Sequence, residues 1–256
     1  MNEMTPQDEQ LARQVIGLLD LTLLNADDTE ARIIALCQRA LTPVGTVAAV
    51  CVYPRFVQLA RRTLDELHAE TVRVAAVANF PYGGLNIQSA VSETRGALAS
   101  GADEIDLMYP YRTLLTGDQQ AAMDLVAACK TTCGERAVLK VILETGELKD
   151  PQIIRKACVD VLAAGADFIE TSSGKVAVNA TPQAGRIILE VIAEAGGQAG
   201  IKAAGGIRTF EDAQVYLDLA RARFGPHWVN VNRVRLGASS LLDDVLTRLG
   251  VLAPGH

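Results

Sequence analysis

Short runs rich in branched aliphatic residues recur every 25 to 35 positions along the chain, and a longer segment with helical spacing follows each of them. That alternation predicts repeated βα units. Eight strands are expected, over Ile16 to Thr22, Thr46 to Tyr53, Val72 to Phe80, Glu104 to Tyr109, Ala137 to Leu143, Asp167 to Ser172, Gly200 to Ala204 and Val234 to Gly237. Several, such as Ala48-Ala49-Val50-Cys51-Val52, are continuous apolar runs without strict alternation. Parallel strands buried on both faces read this way. Helix starts are marked where Asn25-Ala26-Asp27-Asp28 precedes Ala31 to Ala40, where Thr181-Pro182 opens a helix to Ala195, and where Thr209-Phe210-Glu211-Asp212 opens one to Arg223. Eight such units in 256 residues predict a closed (β/α)8 TIM barrel rather than an open sheet. With no linker or shift in composition, residues 1–256 are expected to form a single domain, with an N-terminal extension over about 1–12 and a C-terminal tail over 250–256.

Composition narrows the partners. The chain is 49% hydrophobic and carries a formal net charge of −6, so there is no basic field for nucleic acid or an anionic membrane, and an anion must be caught locally. Cys37, Cys51, Cys129, Cys133 and Cys158 form no CxxC pair, which suggests neither a disulfide framework nor a zinc ribbon. Cys129 and Cys133 fit core packing on one helix face. The acidic N-terminus has no apolar core segment, and a soluble, unprocessed cytoplasmic protein is expected. Only His68, His227 and His256 are present, scattered, so a histidine-rich metal site is not expected.

In such a barrel the chemistry lies at the C-terminal ends of the strands. The polar residues there are Asp20 and Thr22, Cys51, Asn79, Asp106, Lys140 and Glu144, Glu170 and Thr171, and Lys202. Charges in apolar strands are costly to bury unpaired, so Asp106, Lys140, Glu170 and Lys202 are expected to face one another inside the barrel. The alternative for these residues is a satisfied core ion-pair network with no catalytic role, a reading that weighs most for Lys140. Glu144 could orient Lys140 or cap the pocket wall. Three late loops, Gly174-Lys175, Gly205-Gly206-Ile207-Arg208 and Gly237-Ala238-Ser239-Ser240, read as a phosphate trap with a helix starting near Ser239.

These residues resemble deoxyribose-phosphate aldolase, a class I aldolase family, from about Leu18 to Leu242. The likeness is carried by Leu19-Asp20-Leu21-Thr22, Cys51-Val52-Tyr53-Pro54-Arg55-Phe56, Asn79-Phe80-Pro81, Gly101-Ala102-Asp103-Glu104-Ile105-Asp106, Leu139-Lys140-Val141-Ile142-Leu143-Glu144-Thr145-Gly146-Glu147-Leu148, Gly174-Lys175-Val176-Ala177-Val178-Asn179-Ala180-Thr181-Pro182, Gly205-Gly206-Ile207-Arg208-Thr209 and Gly237-Ala238-Ser239-Ser240. The resemblance implies reversible cleavage of 2-deoxyribose 5-phosphate to acetaldehyde and glyceraldehyde 3-phosphate, without a cofactor, in a homodimer or homotetramer. It implies that a strand-six lysine forms the Schiff base, that Lys202 lowers its pKa, and that Asp106 joins the proton relay. Cys51 would line the pocket, and Gly174, Lys175, Gly205, Gly206, Arg208, Ser239 and Ser240 would surround the phosphate.

The chain departs from the pattern where it matters most. The strand-six lysine position is Glu170; strand seven reads Lys202-Ala203-Ala204-Gly205-Gly206 in place of Lys-Pro-Ala-Gly-Gly; Leu236 stands for a common phenylalanine; and Leu252-Ala253-Pro254-Gly255-His256 lacks a terminal tyrosine. Glutamate cannot form an imine. At about 4 Å from Lys202, a Glu170 carboxylate would favour the ammonium by about 4 kcal/mol at an effective dielectric near 20. Three readings follow: an aldolase whose imine lysine was replaced or relocated to Lys202, a carbonyl enzyme using Glu170 as general base with Lys202 as electrophile, or a sugar-phosphate-binding barrel without catalysis.

Overall fold

The computed structural model describes residues 5–252; residues 1–4 of the expected extension and 253–256 of the expected tail, including His256, lie outside the described residues. Eight parallel strands close into one barrel: β1 (Leu19–Thr22), β2 (Ala49–Val52), β3 (Arg73–Ala78), β4 (Glu104–Met108), β5 (Val138–Ile142), β6 (Phe168–Glu170), β7 (Gly200–Ala204) and β8 (Val234–Ala238), with β8 pairing back onto β1. Each strand is followed by an outer helix, from Glu30–Arg39 after β1 to Leu241–Arg248 after β8. The main hydrophobic core lies between strands and helices, where Leu21, Val50, Val74, Ile105, Leu139, Ile169 and Leu236 meet helix residues such as Ile33, Leu64, Val126 and Ile188.

The barrel interior is divided by chemistry. On the β2–β3 side it holds a small apolar cluster of Ala49, Cys51, Ala75 and Val77, capped by Leu24. The charged residues come from the other strands, and the register sets them side by side: Asp106 is opposite Lys140, Glu170 opposite Lys202, and Lys202 opposite Arg235. Because strand side chains alternate between faces, a residue and the one two further on share a face, which puts Glu104 and Asp106 in the interior together.

Three local readings need correction. Ile16 is the last buried residue of the helix Pro6–Gly17, whose apolar face of Ala12, Val15 and Ile16 is covered, so the strand begins only at Leu19. Thr46 is not in the barrel: Gly45–Thr46 pairs antiparallel with Leu41–Thr42, and β2 begins at Ala49. The first outer helix is capped by Thr29, whose side chain accepts from Arg32 N–H, whereas Asp28 closes the preceding turn by accepting from Asn25 N–H at 2.6 Å. The other two starts hold, with Thr181 accepting from Ala184 N–H ahead of Pro182, and Thr209 and Asp212 forming a reciprocal capping box.

Candidate active site

Inside the barrel, two layers of charge are stacked. In the lower one Lys140 is fully buried and meets three carboxylates, Glu104 at 2.6 Å, Asp106 at 2.8 Å and Asp20 at 3.1 Å. Arg235 closes that layer by donating to Asp20 and Glu104, each at 2.7 Å. In the upper layer Lys202 Nζ lies 2.5 Å from Asp106 Oδ2, 3.2 Å from Asp20 Oδ2 and 3.3 Å from Glu170 Oε1. Asp106 therefore bridges the layers, and it also accepts from the Cys51 thiol at 3.4 Å.

The four charges expected to converge do so, as one connected network in two layers, only the upper of which reaches the cavity. Asp106, Glu170 and Lys202 line a cavity of about 300 Å³ at the C-terminal ends of the strands, together with Cys51; Lys140 lies beneath and does not. Glu104 and Arg235, which sequence reasoning overlooked, complete the lower layer. The available signal was the spacing of two from Glu104 to Asp106 and the presence of an arginine inside the apolar run of β8.

The buried network contains three cations, Lys140, Lys202 and Arg235, and four carboxyl groups, Asp20, Glu104, Asp106 and Glu170, and the exposed Arg73 reaches Glu104 at 3.6 Å from the barrel's edge. Among the buried groups the carboxyls outnumber the cations by one. Burial raises Glu170, the attraction of Lys202 only partly offsets it, and the nearby Asp106 raises it further, so its pKa is pushed up to about 8. At neutral pH Glu170 is mostly the uncharged acid, leaving three cations against three carboxylates. Its Oε2 is buried and, among the described residues, has no hydrogen-bond partner. For Asp106, burial alone would raise the pKa, but Lys140 and Lys202 hold it below the ordinary value. Burial would neutralise Lys202, yet Asp106 foremost, with Asp20 and the ionised fraction of Glu170, overcomes it and keeps the ammonium well above its usual range. Lys202 is a cation here, not a free amine.

Above this floor the three glycine-bearing loops meet at the cavity mouth, where Gly174, Lys175, Gly205, Gly206, Arg208, Gly237, Ser239 and Ser240 all line the same space. Gly205 requires its residue type: its φ is +81°, and a Cβ would come within 2.7 Å of Asn179 Cβ. Gly237 does too, since a Cβ there would sit 2.8 Å from Ala204 Cβ. The last helix starts at Leu241 with Ser240 as its N-cap, so its positive end faces this loop cluster. Lys175 reaches across to donate to the Leu24 carbonyl at 2.5 Å. Apart from Lys202, the lining cations are Lys175 and Arg208, both exposed.

The remaining polar residues singled out from the sequence shape the walls. Thr171 Oγ1 accepts from Ala204 N–H at 3.0 Å and ties β6 to β7. Asn79, at φ +55°, holds its own loop by donating to the carbonyls of Gly84 and Met108. Glu144 has no contact with Lys140; it accepts from Ser173 instead. Cys129 and Cys133 are buried free thiols in the helix Gln119–Cys133.

The family model described as DeoC/LacD family aldolase matches residues 14–246. Among solved structures, a candidate deoxyribose-phosphate aldolase of Toxoplasma gondii in its apo form is 27% identical with a TM-score of 0.89, the match covering 98% of this chain and 100% of that one. A candidate deoxyribose-phosphate aldolase of Coccidioides immitis is 29% identical with a TM-score of 0.79, covering 91% of this chain and 85% of that one. A deoxyribose phosphate aldolase of Aeropyrum pernix, itself tetrameric, shares the fold at 24% identity and a TM-score of 0.75, over 96% of this chain and 98% of that one. With the matched segment spanning nearly the whole barrel, the chain belongs to the DeoC/LacD aldolase family.

Proposed function

We propose that this chain is built for the reversible aldol cleavage of 2-deoxyribose 5-phosphate to acetaldehyde and glyceraldehyde 3-phosphate, and that Glu170, in place of the imine-forming lysine, leaves its turnover greatly reduced. The observation that carries this reading is the meeting of Glu170, Lys202 and Asp106 with three glycine-bearing loops around one cavity. Phosphate belongs to the loops and the last helix, the carbonyl carbon to the floor. A lysine at position 170 would raise the buried cations to four against three carboxylates. One amine would then lack a countercharge, and desolvation would drive it toward the neutral nucleophile that imine formation needs. The reading takes the protein to be cytoplasmic and homo-oligomeric, a homodimer or homotetramer.

Glu170→Lys tests it. Retro-aldol release of acetaldehyde from 2-deoxyribose 5-phosphate is expected to rise by several orders of magnitude over the parent. A folded variant with no activity above the parent overturns the reading.

A second reading is favoured by one observation, the Glu170 carboxyl 3.3 Å from the Lys202 ammonium on the wall of the cavity, where burial raises its pKa. A carboxylate titrating close to neutrality can take a proton from the carbon next to a carbonyl, while Lys202 donates to the carbonyl oxygen. Proton exchange in a carbonyl ligand without imine trapping supports it. Sugar-phosphate binding with neither outcome leaves a binding barrel.

A further inference from the structure

Glu144 is 1% exposed and follows β5 in the left-handed region at φ 59°, ψ 54°. A branched or long side chain rarely adopts that conformation, and glycine would satisfy the backbone better. What the position gains from glutamate is its carboxylate. One oxygen accepts from Ser173 N–H at 3.1 Å and the other from the Ser173 hydroxyl at 2.5 Å. The Ser173 Oγ in turn accepts from Lys175 N–H at 3.1 Å. The donor directions form a chain: Lys175 amide to Ser173 oxygen, Ser173 proton to Glu144.

The two loops are also locked by shape. A Cβ at Gly146, two residues after Glu144, would lie 1.8 Å from the Val178 carbonyl oxygen, so the segment after β5 lies directly against the one after β6. Glu144 itself is not among the residues that line the cavity, whereas Ser173, Gly174 and Lys175 are. Burial raises its pKa, and the two bonds from Ser173 oppose that rise.

From this geometry we infer that Glu144 is a positioning residue for phosphate recognition: through Ser173 it fixes the Ser173-Gly174-Lys175 turn in the shape that receives the substrate's phosphate. The inference rests on the reading that these loops hold a phosphorylated ligand. It separates binding of the phosphate from the chemistry at Glu170 and Lys202, which Glu144 does not touch. The carboxylate accepts from two donors on one residue, and an amide in its place offers a single acceptor oxygen together with an NH2 facing a donor. Charge-assisted bonds of this kind are the stronger class, so their loss is expected to loosen the turn rather than the barrel.

The test is calorimetric titration of the intact chain, Glu144→Gln and Ser173→Ala with 2-deoxyribose 5-phosphate and with unphosphorylated 2-deoxyribose. The parent is expected to prefer the phosphorylated sugar. Both variants are expected to weaken that ligand about ten-fold, in line with the loss of one charge-assisted bond, and to leave the unphosphorylated sugar unchanged. The double variant is expected to be no worse than either single one, because the two residues act as one device. A variant that keeps the full phosphate preference, or loses both sugars equally, overturns the role of Glu144. A parent without any phosphate preference overturns the phosphate reading of the loops, and the inference with it. Should Glu144→Gln fail to fold, Glu144→Asp takes its place: it keeps the charge but draws the carboxylate back from Ser173, so the same selective loss of the phosphorylated sugar is expected, and full retention of the phosphate preference overturns the role of Glu144.

Discussion

Glu170 Oε1 lies 3.3 Å from Lys202 Nζ, and the protonation of each is set by the other and by Asp106. Lys202 is held as an ammonium chiefly by Asp106, with Asp20, against the pull of burial, while Glu170 is the group in the network that gives way and keeps its proton. The site is therefore short of a nucleophile even though an amine is present.

Imine trapping separates these possibilities. In the parent, acetaldehyde with borohydride is expected to leave Lys202 unmodified, and in Glu170→Lys the adduct is expected on residue 170. The parent has six lysines, Lys130, Lys140, Lys149, Lys156, Lys175 and Lys202, so peptide mass spectrometry can assign the modified lysine directly. A stoichiometric label on Lys202 in the parent would show that imine formation had moved there.

Much of this was legible in the sequence. All eight strands were, because parallel strands buried on both faces leave unbroken apolar runs such as the one before Cys51. The errors at Ile16 and Thr46 share a cause: both lie in apolar stretches continuous with a true strand, and only packing decides that Ile16 completes a helix and Thr46 a hairpin. The cavity residues Asp106, Glu170 and Lys202 could be named because charge in an apolar strand is conspicuous. Arg235 and Glu104 were missed because they lie away from the strand tips, and their long side chains meet lower down across the barrel. The protonation of Glu170 was not legible at all. A carboxylate was expected, but its state depends on a sum of burial and four neighbouring charges that only the closed barrel brings together.

That protonation has a consequence for stability. The folded pKa of Glu170, about 8, lies above the ordinary carboxylate value of 4.5, so between these pH values the native state holds a proton that the unfolded chain has lost. The native state then binds more protons, and stability falls as pH rises. The favourable contribution is complete below about pH 4.5 and lost as pH passes through 8. Relative to Glu170→Gln, the parent is expected to lose on the order of a few kcal/mol between pH 5 and pH 9 in urea unfolding. Parallel pH profiles for the two chains would contradict the raised pKa.

The same titration governs proton transfer under the general-base reading. Glu170 must be ionised to accept a proton, so deuterium exchange next to the carbonyl of glyceraldehyde 3-phosphate is expected to rise from pH 6 and level off above about 8. Glu170→Gln is expected to abolish it. Exchange that survives in Glu170→Gln, measured by proton NMR in deuterated buffer, would assign the base elsewhere.

The lower layer is expected to matter for folding rather than chemistry, and Lys140 is the residue on which that distinction turns. Its ammonium is surrounded by Glu104, Asp106 and Asp20 at 2.6 to 3.1 Å with no exposure to solvent. Lys140→Met keeps much of the volume but leaves Arg235 and Lys202, with the exposed Arg73 3.6 Å from Glu104, to neutralise three carboxylates. Breaking a buried pair from one side costs about 3–5 kcal/mol, because the charge left behind is unpaired and desolvated. Lys130→Ala provides the contrast. Its partner Asp167 is at 2.6 Å, but the side chains are 28% and 36% exposed, so the loss is expected to stay at or below about 1 kcal/mol. Urea unfolding of both variants measures the difference. Equal losses would mean that Asp106 and Asp20 are satisfied from the upper layer alone, and that Lys202 rather than Lys140 holds the barrel's charges together.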